Sequence, residues 1–195
     1  TGIEIAIAYI GVTVLPVTDI PELNSTSSIV QENKNVSSFD ELLVVPIGSL
    51  LGMTLPDDDG SQSLSMTLTG FPSSAQDLSF ALQLLGVNTS IDLATGTVTL
   101  TGTNATDVLQ VLASLEITLA NDDDKNFIIS INGTTADSNG IDGTVPVPFT
   151  LEHAVIVQAV ADTPSIDVGD EIKGSVLQDS DFVLYNVTID LQDKD

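Results

Sequence analysis

The sequence predicts an all-β sandwich that carries one short helix. Apolar residues alternate with polar ones over several stretches, as in Leu64, Met66 and Leu68, which are separated by serines and threonines. A period of two is typical of a strand with one buried face. A single stretch of the chain departs from this period, and its apolar spacing is that of a helix.

The first predicted strand lies at the N-terminus. Apolar residues share one parity from Ile3 to Tyr9, and after Gly11 the parity shifts to Val12 and Val14. A bulge at a glycine produces such a shift. We therefore expect this strand to pass from one sheet edge to another.

Two later runs follow the same alternating pattern. Phe127, Ile129 and Ile131 share one parity, and the apolar positions between Val183 and Leu191 share another. Side chains at every second position point to the same face of a strand. Both runs are therefore predicted to be strands of the sandwich.

The helix is predicted to begin after Asn104. Asn104 can cap a helix, and Asp107 follows three residues later. The apolar residues that come next fall on one helical face: Val108, Val111, Leu112 and Leu115. We expect this helix to cover one edge of the sandwich with its apolar face in the core.

An internal repeat divides the chain. VLPVTDIPEL at 14–23 aligns with VQAVADTPSI at 157–166, 143 residues further along. The shared residues are Val14, Val17, Asp19 and Pro21 in the first copy and Val157, Val160, Asp162 and Pro164 in the second. The predicted units are the terminal strand of a preceding module (1–16), a complete sandwich module (17–161) and the beginning of a following module (162–195). One large sandwich built from all three pieces is the alternative.

The composition is strongly acidic and excludes several classes of partner. Asp and Glu number 28 against four Lys and no Arg, which leaves a formal net charge of -24. A chain of this charge has no surface that could neutralise nucleic-acid phosphates or bind anionic lipid. We expect no direct membrane insertion, because the apolar N-terminal run is short and contains Glu4. Cysteine is absent, which excludes disulfides and thiolate metal sites.

Carboxylates in tight turns suit calcium, which takes roughly six to eight oxygen ligands. Asp57 and Asp59 are alternate acids followed by Gly60, a spacing that lets the backbone curl around one ion. Asp19 and Asp162 each come just before an X-Pro step, which makes a stiff junction where two modules could share an ion. A solvated turn and an ordinary linker are the respective alternatives.

Further acidic residues follow the same motifs along the chain. Asp122 and Asp124 belong to an acidic run just before a predicted strand, and a charge run is often simply a solvated face. Glu32 and Glu171 follow the two copies of the repeat. An apolar strand then leads to Leu55-Pro-Asp-Asp-Asp in the first copy and to Leu191-Gln-Asp-Lys-Asp in the second.

Four segments resemble the cadherin-like and immunoglobulin-like repeats of giant extracellular adhesins, including the VCBS repeats. They are AVADTPSI at 159–166, DDDGSQSLSMTLTG at 57–70, GTVTLTGTNATDVLQVLASLEITL at 96–119 and NDDDKNFIISINGT at 121–134. The resemblance implies a Greek-key immunoglobulin/cadherin-like β-sandwich, with calcium ions near the module junctions. It also implies that the module projects a binding tip away from a cell.

The motifs and the resemblance together define the candidate calcium ligands. They are Asp19, Glu32, Asp57, Asp59, Asp122, Asp124, Asp162, Glu171, Asp193 and Asp195. Two positions depart from the family pattern. Gln62 stands where the family often has glutamate, and Glu32 lacks the aspartate that commonly follows it.

Six Asn-X-Ser/Thr sequons are candidate glycosylation sites, at Asn24, Asn35, Asn88, Asn104, Asn132 and Asn186. Glycans would indicate a eukaryotic or archaeal surface protein. Bacterial adhesins are also rich in Asn, Ser and Thr, so the alternative is a bacterial surface protein without glycans.

These observations predict a non-enzymatic structural extender of a long extracellular, cell-surface protein. Its expected partners are neighbouring modules of the same chain or copies of itself, and a cell-surface glycan or protein would be bound through other modules. The sole histidine, His153, lies in a predicted strand and is not expected to be a catalytic base. One alternative is a filament subunit joined by strand exchange. The other is a calcium-dependent carbohydrate- or peptide-binding adhesin module, for which the chain has no Trp and only two Tyr as stacking platforms.

Overall fold

The structure is a computed structural model that describes residues 10–11, 18–31, 42–56, 60–120, 125–137, 145–159, 165–168 and 187–190, the last two ranges as backbone only. Its elements in chain order are β1 (Glu22–Leu23), β2 (Ser27–Gln31), β3 (Leu43–Val45), α1 (Ile47–Leu51), β4 (Met53–Thr54), β5 (Gln62–Thr69), β6 (Ala75–Phe80), β7 (Val87–Asp92), β8 (Thr97–Gly102), α2 (Ala105–Ala113), β9 (Leu115–Leu119), β10 (Phe127–Asp137), β11 (Val147–Gln158), β12 (Ser165–Val168) and β13 (Val187–Asp190).

Two sheets form the sandwich. One has six strands in the order β2-β11-β10-β5-β8-β7, and the other has three in the order β3-β9-β6. The chain passes repeatedly from one sheet to the other, as in Greek-key sandwiches. All neighbouring strands are antiparallel except β2, which runs parallel to β11. The predicted all-β sandwich is therefore confirmed.

One apolar core joins the inner faces of the two sheets. Leu64, Met66 and Leu68 of β5 are buried, as their alternation predicts. The alternating residues of β10 and β9 are buried in the same way: Phe127, Ile129, Ile131, Leu115, Ile117 and Leu119. Burial of one such side chain contributes roughly 1.5–3 kcal/mol, so this core supplies most of the driving force for folding.

Helix α2 begins where the sequence predicts. The Asn104 side chain accepts a hydrogen bond from the Asp107 backbone N–H at 3.3 Å, which caps the helix. Leu115 is an exception to the predicted helical face, because it is the first residue of β9 rather than part of α2. The helix ends at Ala113, and the C-cap residue Ser114 donates its hydroxyl to the Val111 carbonyl at 2.7 Å.

Helix α1 contradicts the prediction of a single helix. It has five residues, follows Pro46 and ends at Gly52, which has a positive φ of 54°. Its Gly48 packs against the backbone of α2, where an added Cβ would overlap with the Leu112 carbonyl oxygen. This helix escaped prediction because its apolar run is too short to show a helical period. Neither described helix has the length and apolar character needed to cross a membrane.

The described strands show where the chain enters and leaves the sandwich. We call the end of the six-stranded sheet where β5 begins and β10 ends the proximal end, and the opposite end the distal end. The Asp137 backbone N–H donates to the Thr18 hydroxyl at 3.3 Å, so the segment before β1 lies at the proximal end. β11 runs from the proximal end to Gln158 at the distal end, and its 12 residues cover about 40 Å at ~3.3 Å per residue.

Two small strand pairs correspond to each other. β1 pairs with β4, with Leu23 opposite Met53, and β12 pairs with β13, with Ile166 opposite Ile189. Leu23 and Ile166 are equivalent in the repeat alignment. Met53 lies two residues before Leu55, which begins the motif Leu-Pro-Asp-Asp-Asp. Ile189 lies two residues before Leu191, which begins the motif Leu-Gln-Asp-Lys-Asp. The same pairing therefore occurs at both copies of the repeat.

Several predicted strand positions lie outside the described residues. They include the N-terminal alternating run from Ile3 to Val14 and the positions from Val183 up to Asn186. The part of the C-terminal run that is described, Val187–Asp190, is a strand as predicted.

Candidate cation site

A group of polar residues closes the apolar core at the proximal end. Gln62 begins β5 and Asp137 ends β10, and the strand register places the two residues opposite each other. Both face the inside of the sandwich, because they share parity with the buried Leu64 and Thr135. Their side chains are only 5% and 3% exposed. The inner face of the six-stranded sheet thus changes from apolar to polar at this end.

The segment that leads into β1 contacts the same group. The Gln62 amide Nε2 donates to the Asp19 carboxylate Oδ2 at 3.4 Å. The Thr18 hydroxyl accepts from the Asp137 N–H, as described above, and the Ser61 hydroxyl donates to Asp137 Oδ1 at 2.9 Å. We refer to Thr18, Asp19, Ser61, Gln62, Thr135 and Asp137 as the proximal polar cluster.

Two oxygen atoms of the cluster are buried without a hydrogen-bond partner among the described residues. They are Gln62 Oε1 and Thr135 Oγ1, and the Thr135 side chain is fully buried. Buried polar atoms in native proteins almost always have a partner. A buried acceptor left unsatisfied costs about 1–3 kcal/mol.

The cluster presents only hard oxygen donors. It combines two carboxylates, one amide oxygen and several hydroxyls, which are ligand types that calcium binds in proteins. The described basic side chains lie elsewhere: Lys125 precedes β10 at the distal end, and His153 lies within β11. The contact of the Asp19 carboxylate within the cluster is the Gln62 amide, which is a neutral group.

Asp19 is the predicted ligand that the structure brings into this cluster. The others lie outside the described residues: Glu32, Asp57, Asp59, Asp122, Asp124, Asp162, Glu171, Asp193 and Asp195. Within the described part of the chain, no group of three or more His, Cys, Asp or Glu side chains comes together. The cluster therefore depends on neutral oxygen donors as well as on its two acids.

Sequence reasoning did not include Gln62, Thr135 or Asp137 among the candidate ligands, although it noted that Gln62 stands where the resembling family often has glutamate. One signal could have identified them. Each has the parity of the buried positions on its strand, so each is a polar residue where an apolar one is expected. Gln62 and Asp137 lie 75 positions apart in sequence, and only the pairing of β5 with β10 shows that they meet.

His153 has a structural role. Its ring is fully buried, with Nδ1 2.9 Å from the Ser25 carbonyl oxygen and Nε2 2.9 Å from the Ser28 hydroxyl. The carbonyl can only accept, so Nδ1 donates to it, and in the neutral ring Nε2 then accepts from Ser28. Both nitrogens hold β2 beside β11.

The described sequons differ in the exposure and the hydrogen bonds of their asparagine side chains. Asn24, Asn88 and Asn132 are exposed, although Asn132 Oδ1 accepts from the Thr150 hydroxyl at 2.9 Å. Asn104 is partly buried and caps α2. Asn35 and Asn186 lie outside the described residues.

Comparison with known proteins gives no family for the chain. No protein-family model and no curated protein matches it. Among solved structures, a chain of a Clostridium thermocellum type I cohesin–dockerin complex involving OlpC has a TM-score of 0.37 and 9% identity, over 68% of this chain and 90% of that one. A second complex from the same organism, involving OlpA, gives 0.40 and 12% identity, over 71% and 99% of the two chains.

A third structural neighbour is the C-terminal domain of the Streptococcus agalactiae AgI/II polypeptide BspA. It has a TM-score of 0.22 and 11% identity, over 58% of this chain and 39% of that one. At such scores and identities the neighbours carry no argument about what this chain binds. The resemblance to VCBS and cadherin-like repeats has no match among these findings.

Proposed function

We propose that the chain is a non-enzymatic extender module of a long extracellular, cell-surface protein, stiffened by calcium at its junctions. One observation carries this proposal. The incoming segment is bound at the proximal end of the sandwich through Thr18, and β11 leaves the sandwich at the distal end, about 40 Å away. Modules joined in this way follow one another along a line.

Entry and exit at the same end of a module would not lengthen the chain. A module that is entered and left at the same end folds back on its neighbour, whereas termini at opposite ends add the full module length to the chain. The repeated strand pairing supports the serial arrangement, because β12 pairs with β13 as β1 pairs with β4. The proposed neighbours are further modules of the same chain or copies of it.

Calcium is proposed to make the series stiff. The net charge of -24 opposes a compact arrangement unless cations neutralise part of it. A ligand that binds only the folded state stabilises it by RT ln(1 + [L]/Kd), and extracellular calcium modules have Kd values of about 0.1–1 mM. At about 1 mM calcium each site then contributes about 0.4–1.4 kcal/mol, so several sites together would decide whether a junction is rigid.

Small-angle X-ray scattering of the full chain in millimolar calcium tests the extender. A single compact body of 195 residues has a radius of gyration of about 16 Å. We expect a clearly larger value and an elongated distance distribution, because the proposal puts residues 162–195 in a following module beyond the distal end. A radius near 16 Å would support one large sandwich instead. A mass that rises with concentration in light scattering would favour the filament subunit.

A further inference from the structure

We infer that the proximal polar cluster binds one calcium ion, with the Gln62 amide oxygen and the carboxylates of Asp19 and Asp137 as ligands. The inference rests on the proposed calcium-stiffened extender and identifies residues that would form one of its calcium sites at a module junction. It also assigns a role to Asp137, which the sequence analysis did not single out, and to Gln62, which was noted only as a departure from glutamate.

The buried amide of Gln62 is the first argument. The side chain is 5% exposed, and its Nε2 atom donates to Asp19 Oδ2, while Oε1 has no partner among the described residues. Asp137 lies directly opposite on β10. Gln62 Oε1 is thus a buried acceptor on a side chain that contacts Asp19 through Nε2 and has Asp137 opposite it on the next strand. A cation or a donor hydrogen would satisfy this oxygen.

Thr135 provides a second, independent argument. Its fully buried hydroxyl oxygen also has no partner within the described part of the chain. Thr135 and Asp137 are two positions apart on β10, so both face the inside of the sandwich at the proximal end. A cation in the cluster would satisfy oxygen atoms that otherwise remain buried at a cost.

Charge gives the third argument. The Asp19 carboxylate is joined to the cluster through an amide and not through a basic side chain. A divalent cation bound by the Asp19 and Asp137 carboxylates would neutralise their charge at this end of the sandwich. Calcium fits better than magnesium, because it accepts carbonyl oxygens and irregular geometry.

The position of the ligands explains what the ion would do. Asp19 belongs to the incoming segment, while Gln62 and Asp137 belong to neighbouring strands of the sandwich. One ion bound to all three joins the segment to the module that follows it. The orientation of a preceding module is then fixed by a contact that depends on calcium.

Gln62 also sets the expected strength of this site. Calcium affinity rises with the number of charged ligands, and Gln62 contributes a neutral one. Three carboxylates would bind more tightly than two carboxylates and an amide. The wild-type site should therefore respond to calcium in the millimolar range of extracellular fluids.

The first test counts calcium ions by native mass spectrometry and measures affinity by calorimetric titration of the full chain. Asp19→Asn and Gln62→Leu should each remove one bound ion, or weaken one binding step about tenfold or more. Asp77→Asn and Gln76→Leu are the matched controls on the exposed face of β6 and should bind like the wild type. The assignment of the site is wrong if Asp19→Asn and Gln62→Leu bind as many calcium ions, with the same affinity, as their controls.

The second test uses a gain of affinity, which a variant that fails to fold could not mimic. Gln62→Glu should tighten one binding step about tenfold or more, and it should lower the melting temperature in chelator because it adds a third carboxylate. Gln76→Glu is the control. An unchanged affinity in Gln62→Glu would overturn the assignment of Gln62.

The scattering experiment keeps the two proposals separate. An elongated chain whose ion count is insensitive to Asp19 and Gln62 would preserve the extender and remove this site. A compact chain that loses one ion in both variants would preserve the site and remove the extender.

Discussion

Gly48 illustrates how one residue controls the packing of two helices. It lies in α1 where that helix contacts α2, and an added Cβ would overlap with the backbone of Leu112 and Ala113. Backbone atoms in a packed helix have little freedom to move aside. Only glycine allows this close approach.

Gly48→Ala should therefore destabilise the module by about 1–3 kcal/mol or more, because the two helices must separate. Urea denaturation followed by circular dichroism measures the change. Gly11→Ala is the control, since a Cβ added there meets no atom of the described residues within 4 Å, and it should leave the midpoint unchanged. Equal urea midpoints for the two variants would show that α1 and α2 can move apart without a loss of unfolding free energy.

Asp92 closes the turn after β7 through its carboxylate. Hydrogen bonds from Thr95, through its side chain first and its backbone N–H second, hold the pKa of the Asp92 carboxyl below its ordinary value of 3.8, with a further contribution from the Ala94 N–H. The two N–H···Oδ1 distances are 3.3 Å for Thr95 and 3.0 Å for Ala94. These bonds favour the ionised form of the carboxyl.

A depressed pKa has a defined consequence for stability. The contribution of Asp92 is fully present above its unfolded pKa and is lost as the pH falls through the lower folded value. In an NMR titration the Asp92 carboxyl should change its signal at a lower pH than an unperturbed aspartate does. Thr95→Val should bring the midpoint back toward 3.8, and an identical midpoint in that variant would exclude the Thr95 side chain as a cause.

At the scale of the elements, β2 is held in place partly by one side chain, His153. It is an edge strand, pairs with β11 alone and has only five residues. The His153 ring adds two hydrogen bonds, to the Ser25 carbonyl and the Ser28 hydroxyl. These contacts hold the segment just before β2 and the beginning of β2 against β11.

His153→Leu should release β2, because it keeps the buried volume but leaves the Ser25 and Ser28 groups without their partner. We expect a loss of about 1–3 kcal/mol in unfolding free energy and faster amide exchange across β2. Thr150→Val, which alters an exposed position on the outer face of β11, is the control. Unchanged exchange in β2 would mean that strand pairing alone holds it.

The chain combines a net charge of -24 with a described sandwich that Thr18 contacts at the proximal end and β11 leaves at the distal end. The calcium proposal predicts that calcium raises the stability of the chain, because ions bound only to the folded state would stabilise it and would reduce the repulsion between carboxylates. The melting temperature should be lower by several degrees in chelator than in millimolar calcium, since 1 kcal/mol corresponds to ~2–8 °C for domains of this size range. Differential scanning calorimetry with magnesium as a control measures this shift. Identical curves in calcium and chelator would contradict the calcium proposal for the chain as a whole.

Local patterns predicted the elements that depend on neighbouring residues. The alternation of β5 and β10 and the Asn104 cap of α2 are properties of short segments, so they could be identified before the strands were paired. Helix α1 was missed because five residues carry too little periodicity. Leu115 was placed in the wrong element because strand and helix patterns overlap where α2 ends and β9 begins.

The residues of the candidate site also fall into two groups, those predicted from local sequence and those that only the fold brings together. Asp19 was predicted from its position before an X-Pro step, which is a local feature. Gln62 and Asp137 become neighbours only through the pairing of β5 with β10, and Thr18 meets them only because the incoming segment turns to the proximal end. No short-range pattern contains this information.

The amino-acid sequence by itself determined the all-β class, the position of α2, the acidic character and the repeat, because each follows from composition or from the spacing of nearby residues. Tertiary structure alone decided the parallel pairing of β2 with β11, the crossing at Gly48 and the meeting of Asp19, Gln62 and Asp137. The physical reason is that strand pairing joins residues far apart in sequence, and only the burial of one common core selects which strands lie side by side.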